Sequence, residues 1–180
     1  MDKELAVQSL TDIMAKFTAY IGKRLPKDVK AKLADLRTME TNPLAKSIYD
    51  SMHGNQEAAD RLNRPSCQDT GVIQYFIEAG SNFPLIGELE EILRGATEGA
   101  TKMGPLRHNA VETFDEKNTG TNTGTQIPWL DWRITPGLDS CVIDVYMAGG
   151  GCTLPGAAKV LMPGQGYEGV AEFVMDVITE

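Results

Sequence analysis

The run Val72-Ile73-Gln74-Tyr75-Phe76-Ile77 limits most strongly what this chain can fold into. β-Branched and aromatic residues dominate it, and Gly71 permits a sharp turn into it, so Gly71 to Ala79 reads as a buried strand. A buried strand requires neighbouring strands and a cover. Two more strands are readable downstream, Trp129 to Ile134 and Cys141 to Met147, joined through Thr-Pro-Gly-Leu-Asp. In the second, Cys141, Ile143, Val145 and Met147 share one face by the period of two, which makes Cys141 a small core residue.

The cover is legible upstream. Leu10, Ile13, Met14, Phe17 and Ile21 recur at helical spacing before Gly22 and Pro26 end the pattern. A second helix is expected from Lys27 to about Met39, with Val29, Leu33 and Leu36 directed inward. A third follows Asn42 as cap and Pro43 in the first turn, carrying Leu44, Ile48 and Met52. Met14, Met39 and Met52 accompany these stripes as core filler. Helical spacing returns from Leu85 to Met103 with Ile86, Leu89, Ile92, Leu93 and Ala96, until Gly104 and Pro105 stop it. A last helix carries Tyr167, Val170, Phe173, Val174 and Val177. The expected fold class is α+β: a helical amino-terminal layer packed on a small mixed β-sheet. One domain is expected over 1–180, helical over 1–62 and a mixed sheet with helices over 63–180.

Charge and cysteine usage narrow the function classes. A net charge of −8 argues against broad binding of nucleic acid or anionic membrane, while leaving room for a small anion held by local arginines. No apolar run approaches the roughly 18 residues that span a bilayer. The opening residues M-D-K-E-L-A-V-Q lack the apolar core of a signal peptide, so the expected location is cytoplasmic. Three cysteines, at 67, 141 and 152, without a C-x-x-C pair, suggest neither a disulfide framework nor a zinc site.

Polar chemistry concentrates in three places. N-R-P-S-C-Q-D-T-G, residues 63–71, sets a thiol, a carboxamide and a carboxylate side by side at Cys67, Gln68 and Asp69. Pro65 biases Arg64 toward an extended conformation, so these side chains are expected on a turn at a strand edge. P-L-R-H-N-A-V, residues 105–111, brings Arg107, His108 and Asn109. A-G-G-G-C-T-L-P-G, residues 148–156, leaves a strand with glycine amides able to approach a carboxylate or a cofactor, or simply to make a tight strand exit. Between the last two, Asp115 to Thr125 is a loop of turn formers without an apolar anchor, either a solvated surface loop or a lid. If the three concentrations converge, Arg107 can grip a carboxylate in bidentate fashion, and Gln68 and the glycine amides can donate to other oxygens. Asp69 can accept from a substrate hydroxyl. Cys67, as thiolate, can ligate a soft metal or an iron–sulfur cluster, or act as a nucleophile, with His108 or His53 as conceivable partners.

These three stretches, with E-T-F-D-E-K-N-T-G-T-N-T-G continuing the second and A-A-K-V-L-M-P the third, resemble the alpha subunits of L(+)-tartrate dehydratases. More widely they are similar to the amino-terminal catalytic region of class I, iron–sulfur fumarases. The resemblance runs in order over essentially the whole chain. It implies a hydro-lyase built on a [4Fe–4S] cluster held by three cysteines, with one open iron acting as Lewis acid. It further implies Cys67 as the first cluster ligand and Gln68 and Asp69 as substrate contacts, Asp69 being the catalytic candidate. Arg107 matches the arginine that binds a substrate carboxylate, and Gly149, Gly150 and Gly151 a backbone contact to the ligand. The family's second and third cluster cysteines lie further on, one in a C-P-P context, and have no counterpart here.

The resemblance therefore implies the amino-terminal portion of an alpha subunit, completed by a carboxy-terminal alpha segment and a beta subunit. The expected substrate is a small hydroxy-dicarboxylate, and C-T-L-P-G after the glycines favours L(+)-tartrate over malate or fumarate. Alone, the chain is expected to be cluster-free and inactive. Two other readings stand beside this: a dicarboxylate-binding or assembly module that has lost the cluster, and a thiol enzyme using Cys67.

Overall fold

The computed structural model describes residues 2–104, 106–153 and 156–179, with the side chains of 152 and 153 outside the description. The chain divides into two compact units, Met1–Gly149 and Gly150–Glu180.

In the first unit, α1 (Lys3–Ile21), α2 (Lys27–Met39) and α3 (Pro43–Leu62) precede β1 (Val72–Gly80). Then come α4 (Leu89–Met103), the short strands β2 (Val111–Glu112) and β3 (Lys117–Asn118), β4 (Trp129–Thr135) and β5 (Cys141–Ala148). The helix ends follow local chemistry. Asp2 caps α1 by accepting from the Glu4 N–H, and the Asn42 side chain accepts from the Leu44 N–H at 2.9 Å with Pro43 in the first turn.

The main sheet has the order β4-β1-β5, with β1 parallel to β4 and antiparallel to β5. Period-two alternation sorts its faces. Ile73, Tyr75, Ile77 and Ala79 are buried on one side, joined by Leu130, Ile143, Val145 and Met147. The other side carries Phe76 between Asp131 and Asp144 in register, and stays open among the described residues.

Two helices, α1 and α4, cover the buried face, and small residues let them approach closely. A Cβ at Gly99 would lie 3.0 Å from the Ala15 Cβ, and one at Gly95 would lie 3.2 Å from the Thr11 methyl. Tyr75 ties all three elements together. Its ring is fully buried, and its hydroxyl lies 3.1 Å from Thr18 Oγ1 of α1 and 3.2 Å from Thr97 Oγ1 of α4. Burial, partly offset by these two hydroxyls, raises the phenol above its ordinary value. The fold is thus α+β, as expected.

Several expectations are corrected, among them that Met39 and Met52 fill a core: both are exposed, as are Leu44 and Ile48 of α3. The first helix buries Met14, Ala15, Thr18 and Ala19, whereas Ile13 and Phe17 face out. The close α1–α4 approach favours small residues at the contact, and of the large ones in the stripe Met14 and Leu10 pack on the core while Ile13 and Phe17 are turned away. In α2 no residue is buried, so Val29, Leu33 and Leu36 do not point into a core. That helix pairs with α3, through an Arg37–Asp50 ion pair and a linker in which the Glu40 carboxylate accepts from the N–H groups of Asn42 and Thr41. These bonds hold the Glu40 carboxyl below its usual range.

In the second unit, α5 (Gly150–Thr153) is a single turn, and α6 (Gly166–Thr179) is the closing helix. The Lys159 ammonium lies 5.9 Å from the Phe173 ring centroid.

Replacing Tyr75 by Phe removes the phenol from both threonines and should cost about 1–2 kcal/mol of unfolding free energy, read by urea titration. The folded pKa of this group is raised, so its stability contribution is complete below the unfolded value near 10.0 and is lost as pH rises through the folded one. Tyr75→Phe should therefore flatten the alkaline loss of stability that the unmodified chain shows above that pH.

Candidate functional site

The site begins where α3 stops. Asn63 adopts the left-handed conformation, φ 52°, and the Arg64 N–H closes the helix by donating to the Ala59 carbonyl at 3.0 Å. The turn is then pinned from outside. The Ser66 N–H donates to the Gly22 carbonyl at 3.0 Å, and Asn55 Nδ2 donates to the Ser66 carbonyl at 2.5 Å. Cys67 and Gln68 emerge exposed from this anchored backbone. Asp69 is half-buried and turns back on itself, its Oδ1 accepting from the Gly71 N–H at 3.1 Å.

Gly71 could hardly be another residue. Its φ is +75°, and a Cβ there would lie 2.2 Å from the carbonyl carbon and oxygen of Ala148. This approach fixes the entry of β1 against the exit of β5. One residue further on, a Cβ at Gly149 would lie 2.9 Å from Asp69 Cγ and 3.1 Å from its Oδ2. The first glycine of the run and the Asp69 carboxylate are therefore in contact, as the missing side chain allows.

The Arg107 stretch is brought to the same place by buried polar groups. Thr70 Oγ1 accepts from the Arg107 N–H at 3.1 Å and from Asn109 Nδ2 at 3.4 Å. Asn109 Nδ2 also donates to the Gly71 carbonyl at 3.1 Å. Asn122, only 4% exposed and at φ 59°, completes the knot. Its Oδ1 accepts from the Asn109 N–H at 2.6 Å, while its Nδ2 donates to the Arg107 carbonyl at 2.9 Å and to Thr101 Oγ1 at 3.1 Å. Thr101 in turn donates to the Thr97 carbonyl within α4. The Arg107 side chain, held by none of these bonds, is exposed at the same end of β1.

The stretches at 67–71, 107–109 and 148–149 thus meet. Gly150 and Gly151 open α5 in the second unit and are placed by that unit alone. His108 is exposed, and its carbonyl accepts from Asn118 Nδ2 at 2.6 Å. His53 lies apart, in a groove between α2 and α3. Cys141 sits at the opposite end of the sheet. Register pairs Ala79 with Cys141 and Val72 with Ala148, so about seven residues of extended strand, roughly 23 Å, separate it from the turn. Its thiol packs against the core and is raised by burial. The side chain of Cys152 and the Leu154-Pro155 part of C-T-L-P-G lie outside the described residues. Among the described residues, no group of three or more His, Cys, Asp or Glu is placed to hold a metal ion.

Residues that sequence reading left without a role prove central to the geometry: Thr70, Asn109 and Asn122. The expected solvated loop or lid from Asp115 to Thr125 is half right. Its first part is an exposed β2–β3 hairpin, but Asn122 and Thr123 are buried. Polar residues replace an apolar anchor there. The available signal was the density of Thr and Asn in T-G-T-N-T-G-T, which can satisfy a buried backbone through its own side chains.

Comparison with known proteins now has a geometry to meet. The family model described as fumarate hydratase (fumerase) matches residues 11–180. The chain belongs to that fumarate hydratase family. Over 178 residues it is 56% identical to the L(+)-tartrate dehydratase subunit alpha of Escherichia coli K12, covering 99% of this chain and 59% of that protein. The corresponding subunit of Shigella sonnei matches equally, and a putative L(+)-tartrate dehydratase subunit alpha of Methanocaldococcus jannaschii is 30% identical over 173 residues. The chain spans about three-fifths of the length of the curated relatives it matches. No described helix is long and apolar enough to cross a membrane.

Asn122→Ala leaves the Asn109 N–H and the Arg107 carbonyl without their buried partner and should cost about 2–4 kcal/mol in urea unfolding. Gly71→Ala, which combines a left-handed φ with a backbone clash, should cost more than about 2 kcal/mol or prevent folding altogether, read by the same titration and by soluble yield.

Proposed function

We propose that this chain is the portion of a [4Fe–4S]-dependent hydro-lyase alpha subunit that carries one cluster ligand and the first substrate contacts. The proposed reaction is dehydration of L(+)-tartrate to oxaloacetate. The observation that supports it most is the convergence of Cys67, Asp69, Arg107 and Gly149 at one end of β1, in a chain 56% identical to a tartrate dehydratase alpha subunit. On this reading the guanidinium of Arg107 binds one substrate carboxylate bidentately. Gln68 and the amides of Gly149, Gly150 and Gly151 donate to remaining oxygens, and Asp69 is the catalytic carboxylate that accepts from a substrate hydroxyl. Holding Asp69 and the Arg107 backbone in one hydrogen-bonded frame orients the hydroxyl-bearing carbon before reaction.

Cys67 is an exposed thiol at the site, and Cys141 is remote and packed into the core. The described residues therefore do not hold a [4Fe–4S] cluster by themselves. The proposal assigns the remaining ligands to polypeptide beyond this chain, with a carboxy-terminal alpha segment and a beta subunit as partners and a cytoplasmic setting. Alone the chain should be cluster-free and inactive.

A second reading, a class I fumarase acting on malate and fumarate, is favoured by the description of the matching family model. A non-catalytic dicarboxylate-binding or assembly module would keep Arg107 and Gln68 but never regain turnover.

Complementation separates them. The chain should give no turnover alone, and L-tartrate turnover should appear anaerobically when the missing alpha segment, the beta subunit, iron and sulfide are supplied. In that assembly Cys67→Ser should abolish activity, and Arg107→Lys should lower kcat/KM about 10- to 100-fold, the size of a lost charge-assisted bidentate contact. Preference for malate would select the fumarase reading. Calorimetric binding of dicarboxylates with no turnover in the complete assembly would select the module.

A further inference from the structure

We infer that Asn109 determines specificity at this site: its side-chain oxygen accepts from the second hydroxyl of a dihydroxy diacid, the one that malate lacks. The assignment rests on the proposed hydro-lyase chemistry and names the substrate feature that the site reads.

The carboxamide of Asn109 has a fixed orientation. Its Nδ2 donates to the Gly71 carbonyl at 3.1 Å and to Thr70 Oγ1 at 3.4 Å. A carbonyl can only accept, so Gly71 decides which end of the carboxamide is nitrogen. The backbone is held as well, because the Asn109 N–H donates to the buried Asn122 side chain at 2.6 Å.

One acceptor is left over. Asn109 Oδ1 accepts from no group among the described residues. It is not sealed in either. Asn109 is half-buried, and the side-chain oxygen that is both buried and unpartnered among the described residues belongs to Gln56, so Asn109 Oδ1 reaches solvent.

This acceptor opens beside Asp69. The Asp69 Oδ1 accepts from the Gly71 N–H at 3.1 Å, and Asn109 Nδ2 binds the carbonyl of that same residue. Two side chains anchored on one residue keep Asp69 Oδ1 and Asn109 Nδ2 within about 10 Å of each other. A four-carbon diacid with hydroxyls on neighbouring carbons bridges such a span with one hydrogen bond at each end.

Chemistry decides what an acceptor can serve there. The ionised carboxylates of a diacid only accept, so they are matched to the donors of the site, the Arg107 guanidinium and the glycine amides. A hydroxyl is the one donor such a ligand carries. L-Tartrate has two, malate one and fumarate none. Asp69 takes one hydroxyl on the proposed reading, and Asn109 Oδ1 is a second acceptor for a second hydroxyl. Gln68 also has a carboxamide oxygen, but its exposed side chain makes no hydrogen bond among the described residues, so nothing fixes which end it presents. A site arranged to bind a substrate hydroxyl discriminates against the analogue without it, because the acceptor is then stripped of water and gains no partner.

The test compares substrates that differ by one hydroxyl, so that damage to the frame, which lowers both alike, cancels. In the complete assembly, Asn109→Ala should lower the ratio of kcat/KM for L-tartrate to that for malate about 10- to 100-fold. Asn109→Asp loses the donation to Gly71 but keeps an oxygen acceptor. It should lower the Tm and raise KM for both substrates while leaving the ratio nearly intact. The same comparison without turnover is calorimetric titration of the intact chain with L-tartrate and with malate, in which tartrate should bind more tightly and the preference should vanish in Asn109→Ala. A ratio that survives Asn109→Ala, a ratio lost in Asn109→Asp, or an unsubstituted chain that binds the two diacids alike overturns the inference. The last two outcomes decide the matter even where the alanine variant does not fold. A binding preference for tartrate that depends on Asn109, in an assembly that never turns over, leaves the inference standing and the proposed reaction fallen. Tartrate turnover with a ratio indifferent to Asn109→Ala has the opposite meaning.

Discussion

The buried carboxamide of Asn122 is the interaction on which the candidate site depends. It accepts from the Asn109 N–H and donates to the Arg107 carbonyl, so one side chain fixes the backbone on both sides of His108. Through Thr70 and Asn109 the same network reaches the turn that carries Cys67, Gln68 and Asp69. Such a network is demanding. Each buried polar atom must be satisfied, and loss of one partner strands another in a low-dielectric setting. Its product is a frame in which the Asp69 carboxylate is held by the Gly71 N–H while Cys67, Gln68 and the Arg107 side chain stand exposed beside it.

That frame sits at one end of a strand whose other residues are spent on packing. Ile73, Tyr75 and Ile77 lock β1 beneath α1 and α4, and the hydroxyl of Tyr75 gives the two helices a common partner. Gly71 then lets β1 begin in van der Waals contact with the end of β5, which carries Gly149 to Asp69. Small residues do the same work twice, between α1 and α4 and at the site, by allowing backbones to approach. The arrangement follows the common division between a rigid scaffold and a functional turn at its edge. By contrast α2 and α3 contribute little to this core: α2 buries no residue and α3 only Ala59.

Much of this was legible in the sequence, for physical reasons. Helix limits at Gly22, Asn42–Pro43 and Gly104 are backbone signals that tertiary structure did not override. The strands announced themselves through β-branched and aromatic runs, and the period of two correctly placed Cys141 against the core. Convergence of Cys67, Asp69, Arg107 and Gly149 was suggested only by their shared position at strand and helix ends, and the residues that enforce it went unread. Asn122 lies in a segment without apolar residues, where periodicity is silent and only side-chain hydrogen bonding determines burial. Spacing also misjudged α1 and α2. It identifies which residues share a face but not which face meets a neighbour, and α2, packed mainly on α3, buries no residue.

The central claim is that Cys67 is a single ligand in a site needing more polypeptide to hold a cluster. Iron and sulfide counting after anaerobic reconstitution of the purified chain tests this most directly. The account predicts iron far below four per chain, removable by a mild chelator, and no turnover of L-tartrate, malate or fumarate. Four irons per chain with turnover, from this polypeptide alone, would contradict it.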